Sequence, residues 1–192
     1  MRIPPRILLL TLGIALAISA ADRLADPLAQ RCADKFDRID AGQVKRGSVV
    51  LFTSDELNAW ARERVPRMFA GVRDPRLQLQ SGAASGSVLV DFAKMHKGPA
   101  TAMNSFLAKL IEGERPLKVS VRLESDRGRA TVFLTSVELS GVVVSGALLD
   151  FLVKDFFMPL FPDAKINQRF ELQDNMERID VQPDGVRVSI RR

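Results

Sequence analysis

Between Ser145 and Phe161 the chain carries charge only at Asp150, Lys154 and Asp155, while leucine, phenylalanine, valine and methionine fill most of the rest. Asp150 and Lys154 stand four apart and share one narrow stripe of a helix. A helix with so little polar surface cannot lie exposed on a soluble domain, so whatever this chain folds into must supply a large apolar surface to receive it. The segment is therefore expected to be a helix over 147–161. It is either buried between a sheet and another helix, or its spare face lines a groove or touches a membrane.

The start of the chain sets where that fold forms. Arg2 and Arg6 precede an unbroken apolar or neutral run from Ile7 to Ala21, and Asp22 ends it. A basic head before such a run is what the export machinery reads, because the arginines stay on the cytoplasmic side. Residues 1–21 are expected to be a signal peptide or an N-terminal membrane anchor, and residues 22–192 a single exported α+β domain. Small residues at Ala17-Ile-Ser19 and Ser19-Ala-Ala21 offer cleavage sites. The run is shorter than the roughly 20 residues that a spanning helix needs, although helical pattern continues past it. The expected location is the periplasm or the outer face of the cytoplasmic membrane.

Composition narrows the chemistry. The formal charge of +5 includes Arg2 and Arg6, leaving +3 beyond the leader, a mildly basic surface compatible with anionic headgroups and with ordinary solubility. One cysteine excludes an internal disulfide, so packing alone must hold the fold. Cys32 lacks a lipobox before it, since Ala29-Gln30-Arg31 precedes it. It is read as a small buried apolar group or as a site for an intermolecular link. Eleven phenylalanines, one tryptophan and no tyrosine describe a dry interior, whether core or pocket lining.

Periodicity orders the elements. Apolar residues recur at helical spacing from Leu24 through Leu28, Cys32 and Phe36 to Ile39, with an interruption near Pro27. A strand at Val49–Phe52 runs into a helix start in which Thr53 and Glu56 form a capping box and Phe52 and Leu57 a hydrophobic staple. That helix is expected from Ser54 to about Val65, ended by Pro66. Leu77–Gln80 and Val88–Phe92 read as a hairpin around a turn at Ser81–Gly86. Pro99–Ile111 reads as an amphipathic helix closed by Gly113. Leu117–Leu123 and Ala130–Val144 form a second hairpin about Ser125–Gly128, and Ile179–Val181 with Val186–Ile190 a third about Pro183-Asp184-Gly185.

The residues offer little for catalysis. His96 is the single histidine, which excludes a His-based zinc cluster, and its Lys94-Met95-His96-Lys97 setting is that of a solvated loop. Nucleophile elbows, SxxK pairs and phosphate-binding glycine loops are absent. Gly82-Ala-Ala-Ser-Gly86 reads as a turn, and the carboxylate pairs Asp150/Asp155 and Asp174/Glu177 lack any spacing that marks a glycosidase dyad. No catalytic residue, metal ligand or cofactor is expected, and the protein is read as not an enzyme.

The Phe52-Thr-Ser-Asp-Glu-Leu-Asn58 helix start, the strand pairs, the apolar helix and the closing hairpin Arg178–Val188 together resemble small exported bacterial envelope proteins related to tubular lipid-binding domains that hold phospholipid. The resemblance lies in the pattern of elements over residues 22–192. It implies a curved antiparallel sheet of hairpins packed with three to four helices, enclosing an apolar groove. The expected function is binding of a lipid or other apolar ligand between sheet and apolar helix, with Leu152, Phe156, Phe157 and Phe161 as groove lining and nearby Lys and Arg for a headgroup. Membrane or lipid is then the partner, with a further envelope protein partner possible and no nucleic acid. The alternative is a structural or protein-interaction module of the envelope, without a small-molecule ligand.

Overall fold

The computed structural model describes residues 25–95, 112–158, 165–172 and 175–192. The 99–111 helix expected from periodicity, His96, and the leader lie outside these residues. The described elements are α1 (Pro27–Asp40), β1 (Val49–Thr53), α2 (Ser54–Met68), β2 (Val72–Gln80), β3 (Ala83–Asp91), the short α3 (Phe92–Met95), β4 (Glu114–Asp126), β5 (Arg129–Leu139), β6 (Val142–Val143), α4 (Gly146–Phe151), β7 (Arg169–Glu171), β8 (Met176–Gln182) and β9 (Gly185–Ile190). The architecture mixes helices with antiparallel sheet.

Pro27 does not interrupt α1 but begins it. Proline at the first helical position gives up an N–H that would be orphaned anyway, and Asp26 before it caps the turn by accepting from the Leu28 N–H at 2.8 Å. Glu63 of α2 accepts from the backbone N–H groups of Ala25 and Asp26 at 2.9 and 2.5 Å, so the same helix end is satisfied from a second element. At the far end, Asn175 donates to the Ile39 carbonyl at 2.8 Å.

The capping box of α2 is present as expected. Glu56 N–H donates to Thr53 Oγ1 at 3.2 Å, and the Glu56 carboxylate accepts from the Thr53 N–H at 3.0 Å. Phe52 and Leu57 both sink into the same core, consistent with the staple. Pro66, however, lies inside the helix, which continues to Met68. Its loss of one hydrogen bond near the end of the helix does not stop the last turn, whose closing bond runs from the Phe69 N–H to the Val65 carbonyl at 3.0 Å.

Two sheets form where one was expected. The smaller has the order β1-β9-β8, and the larger β2-β3-β4-β5-β6, with β7 pairing the opposite end of β5 from β6. The β2–β3 turn is tighter than the glycine- and serine-rich sequence suggests: Gln80 pairs with Ala83, so only Ser81 and Gly82 form the turn and Ala83–Gly86 belong to the strand. Likewise Ser140 and Gly141, both at positive φ, turn the chain and split the expected 130–144 strand into β5 and β6. The expected 147–161 helix appears as α4, which passes directly into a π-helical turn over Leu152–Phe157.

The sheets meet where the hairpin tips of the larger abut strand β8. Gly82 N–H donates to the Val181 carbonyl at 2.9 Å and Gly128 N–H to the Glu177 carbonyl at 2.8 Å. Ser125 bridges as well, its hydroxyl donating to the Ile179 carbonyl at 2.5 Å and accepting from the Ile179 N–H at 2.8 Å. Around this junction α1, α2 and the smaller sheet enclose the main core, with Phe36 stacked on Phe52 (centroids 4.5 Å apart) and edge-on to Trp60 at 5.4 Å. Cys32 is fully buried here. Burial, followed by the charge on Glu56, pushes its thiol far above the ordinary value against a smaller pull from Lys35, so it packs as an apolar group.

Candidate functional site

A second, separate apolar cluster sits at the opposite end of the larger sheet. Val90, Phe92, Val137, Leu139, Val144 and Leu152 are buried in it, with Leu148, Leu149 and Phe151 of α4 packed against them. The sheet face between the two clusters is where the sequence and the register converge on a site.

Strand pleat puts alternate side chains on one face, and the pairing aligns them in rows. Leu79, Ala84, Val121 and Leu134 form one row across β2, β3, β4 and β5; Leu77, Gly86, Val119 and Val137 form the next; Val88, Leu117 and Leu139 form a third. Strict alternation would carry Leu134 and Val137 to opposite faces. A bulge solves this: Ser120 pairs with Ser136 but Val121 with Leu134, so Thr135 is the extra residue and both apolar side chains face the same way. The result is a continuous apolar floor running from one core to the other. Leu77, Val88, Val119, Val121 and Leu134 in its middle remain half-buried, whereas Leu79 and Leu123 at one end and Leu139 at the other are buried.

Gly86 marks the middle of this floor. A Cβ there would meet Leu77 Cδ2 at 3.6 Å, an ordinary contact, so the missing side chain leaves space rather than avoiding a clash. The reverse face is polar, with Ser85, Ser87, Lys118, Ser120 and Arg122 at the alternate positions, and Arg122 covers the Phe133 ring at 4.2 Å from its centroid. The apolar floor is thus one-sided.

Of the residues named from sequence, Leu152 is buried at 6% exposure within the second cluster. Phe157 is half-buried. The Phe156 side chain and all of Phe161 lie outside the described residues. The π turn that holds Leu152, Phe156 and Phe157 closes with the Met158 N–H on the Val153 carbonyl, a geometry frequent at functional sites. The sequence points to a groove between sheet and apolar helix, and the lining residues it names, Leu152, Phe156, Phe157 and Phe161, are all on the helix side. The strand residues that form the floor were visible as apolar alternation, but alternation does not show how completely the face is covered.

The floor has no acid–base chemistry. Among the described residues the buried charged side chains are Glu56 and Arg64, both on α2. No group of three or more His, Cys, Asp or Glu among them could hold a metal ion. Such a surface can sequester apolar matter by excluding water. No described helix is long and apolar enough to cross a membrane. Neither a protein-family model nor a curated protein sequence matches this chain.

Proposed function

We propose that this is an exported, non-enzymatic protein of the cell envelope that holds an acyl chain or a similarly apolar ligand on the floor formed by β2–β5. The observation that carries the reading is that Leu77 and Val121, packed against the first cluster, and Val88, Val119 and Leu134, packed against the second, all stay half-buried, with Gly86 leaving space among them. Packed interiors leave few such stretches uncovered, and an apolar floor bounded at both ends has the character of a ligand cleft. The resemblance in element order to tubular lipid-binding domains points the same way, as does the basic-then-apolar start of the sequence. In this reading the α4–π segment, with Leu152 and Phe157, forms the wall above the floor, and the remaining residues named from the sequence, Phe156 and Phe161, are proposed to add to the lining. The test is native mass spectrometry of the full chain purified from membranes in mild detergent. A bound lipid mass that organic extraction removes is expected; a lipid-free protein that also takes up no fluorescent fatty acid overturns the reading.

A structural or interaction role is the second reading. It is favoured by Val142 and Val143, exposed at 66% and 64% on the β5–β6 hairpin, and by Val49, exposed at 58% on β1. Exposed apolar side chains at two separate places suit contacts with other proteins. Cross-linking from position 143 that recovers one defined envelope protein, together with a lipid-free chain, would establish it.

A further inference from the structure

Six cations from four separate segments come to one corner of the fold, beyond the end of the smaller sheet. Lys45 and Arg46 lie in the loop before β1. The Gly47 N–H of that loop donates to the Ile190 and Arg191 carbonyls at 3.2 Å, and the Arg192 side chain passes beside Gly47. The Arg191 guanidinium lies over Gly128 in the β4–β5 turn, which places it beside Arg129. Arg169 on β7 faces Thr131, two residues along from Arg129 and on the same face of the pair. All six are exposed, and among the described residues none of them forms an ion pair. Arg127 in the same turn pairs only with its neighbour Asp126, at 3.3 Å. The carboxylates nearby, Asp40, Asp126, Glu171 and Glu177, are outnumbered.

At the opposite end of the larger sheet, Arg73 is held by Glu114, Lys94 by Asp91 and Lys118 by Glu138. Exposed cations without an ion pair among the described residues also occur singly on other elements, Arg31 on α1, Arg62 on α2 and Arg76 on β2, but at this corner six come together from four segments. Uncompensated cations repel one another and lower stability, so their collection is explained by an anionic partner that neutralises them. These cations are spread over an open surface contributed by two loops, a strand edge and the chain's last residues. All six are exposed, which suits a broad anionic surface better than a single phosphate held among converging donors. An extended layer of negative charge matches that layout.

We propose that this corner docks the protein on an anionic phospholipid bilayer surface. Clusters of four to eight Lys and Arg hold proteins at such surfaces, and the attraction weakens as salt screens it. The inference does not depend on the apolar floor: the corner would dock whether or not a lipid is carried.

The test uses the full chain and two sets of extruded vesicles, phosphatidylcholine alone and phosphatidylcholine with about one-third phosphatidylglycerol, in a flotation assay at about 0.1 M and about 0.5 M salt. The readout is the ratio of binding to the two vesicle types, which cancels any insertion of the N-terminal apolar run. A preference for anionic vesicles of about tenfold or more at low salt, lost at high salt, is expected. Lys45→Glu with Arg46→Glu and Arg192→Glu should abolish the preference. Arg31→Glu with Arg62→Glu and Arg76→Glu makes the same change in net charge elsewhere on the surface and should keep it. If the corner variant fails to fold, the Gln versions of the same three positions replace it. Equal loss in both sets, no anionic preference, or binding to soluble polyphosphate in place of vesicles overturns the proposal.

Discussion

At the scale of single residues, Glu56 does two tasks with one carboxylate. It completes the capping box of α2, and it accepts from Lys35 of α1 at 2.7 and 2.5 Å, while Lys35 also donates to the Leu51 carbonyl of β1 at 2.7 Å. Three elements are tied at a carboxylate that is only 5% exposed. Burial acts to raise its pKa, but hydrogen bonds from Lys35 and Thr53 and the charges of Lys35 and Arg31 outweigh it and hold the group below the ordinary glutamate value. A carboxylate with a depressed folded-state pKa contributes stability above its unfolded pKa and loses it as pH falls through the folded value. Glu56→Gln is accordingly expected to cost about 2 kcal/mol in urea melts at neutral pH. The difference from wild type should shrink on acidification below the ordinary glutamate range. A pH-independent difference would mean that Lys35 does not hold the carboxylate charged.

Gly185 is fixed by space at the same scale. It pairs with Thr53, and a Cβ there would lie 3.1 Å from Thr53 Cα and closer still to the Phe52 carbonyl oxygen. Both obstacles are backbone, so neither can rotate away. Gly185→Ala should destabilise by about 1–3 kcal/mol, read by chemical denaturation, because β9 must move off β1 to admit the methyl group. The sequence marked Gly185 as a turn residue; only the register shows that its contact with β1 is the reason.

At the scale of elements, what could be read in advance was what local chemistry controls. The Thr53–Glu56 box and the closing hairpin announce themselves because capping and turn residues act on their own neighbours. Asn58 could not be read that way. Its amide mimics a peptide group, accepting from the Leu77 N–H at 2.8 Å and donating to the Leu77 carbonyl at 3.0 Å, and so seals edge strand β2 with a helix. A partner 19 residues away leaves no trace in local pattern. The bulge at Thr135 is similar, since it follows from pairing with β4. The same holds for the division into two sheets, which depends on which strands meet.

Leu152 is the element-scale test of the second cluster. Emptying a buried leucine site costs about 2–5 kcal/mol where the site is packed. Because the two clusters are separate, Leu152→Ala should loosen the cluster around Val137 and Leu139 first. Faster amide exchange at those two residues is expected, with unchanged fluorescence from Trp60, the single tryptophan, which lies in the other core. Simultaneous loss of Trp60 fluorescence would show one cooperative core.

At the scale of the whole molecule, the two clusters and the floor between them separate a ligand cleft from a plain interior. Gly86→Leu distinguishes these directly. Glycine in a strand is itself unfavourable by roughly 0.5–1 kcal/mol relative to alanine, and here the added side chain has room at its base. If the floor faces a ligand, the variant should fold with wild-type stability or better and lose lipid uptake. If the floor is filled core, overpacking should cost about 1–3 kcal/mol, seen as a lowered urea midpoint.

The most direct test asks where an acyl chain lies. The full chain, with labelled leucine and valine methyl groups, is loaded with a phospholipid carrying a nitroxide along its acyl chain, and methyl NMR signals are compared before and after reduction of the radical. The account expects the strongest broadening at Val88, Val119, Val121 and Leu134, and clearly weaker broadening at Leu89 on the opposite face of β3. Broadening confined to exposed Val142 and Val143, or broadening at Leu89 in place of the floor, would contradict it.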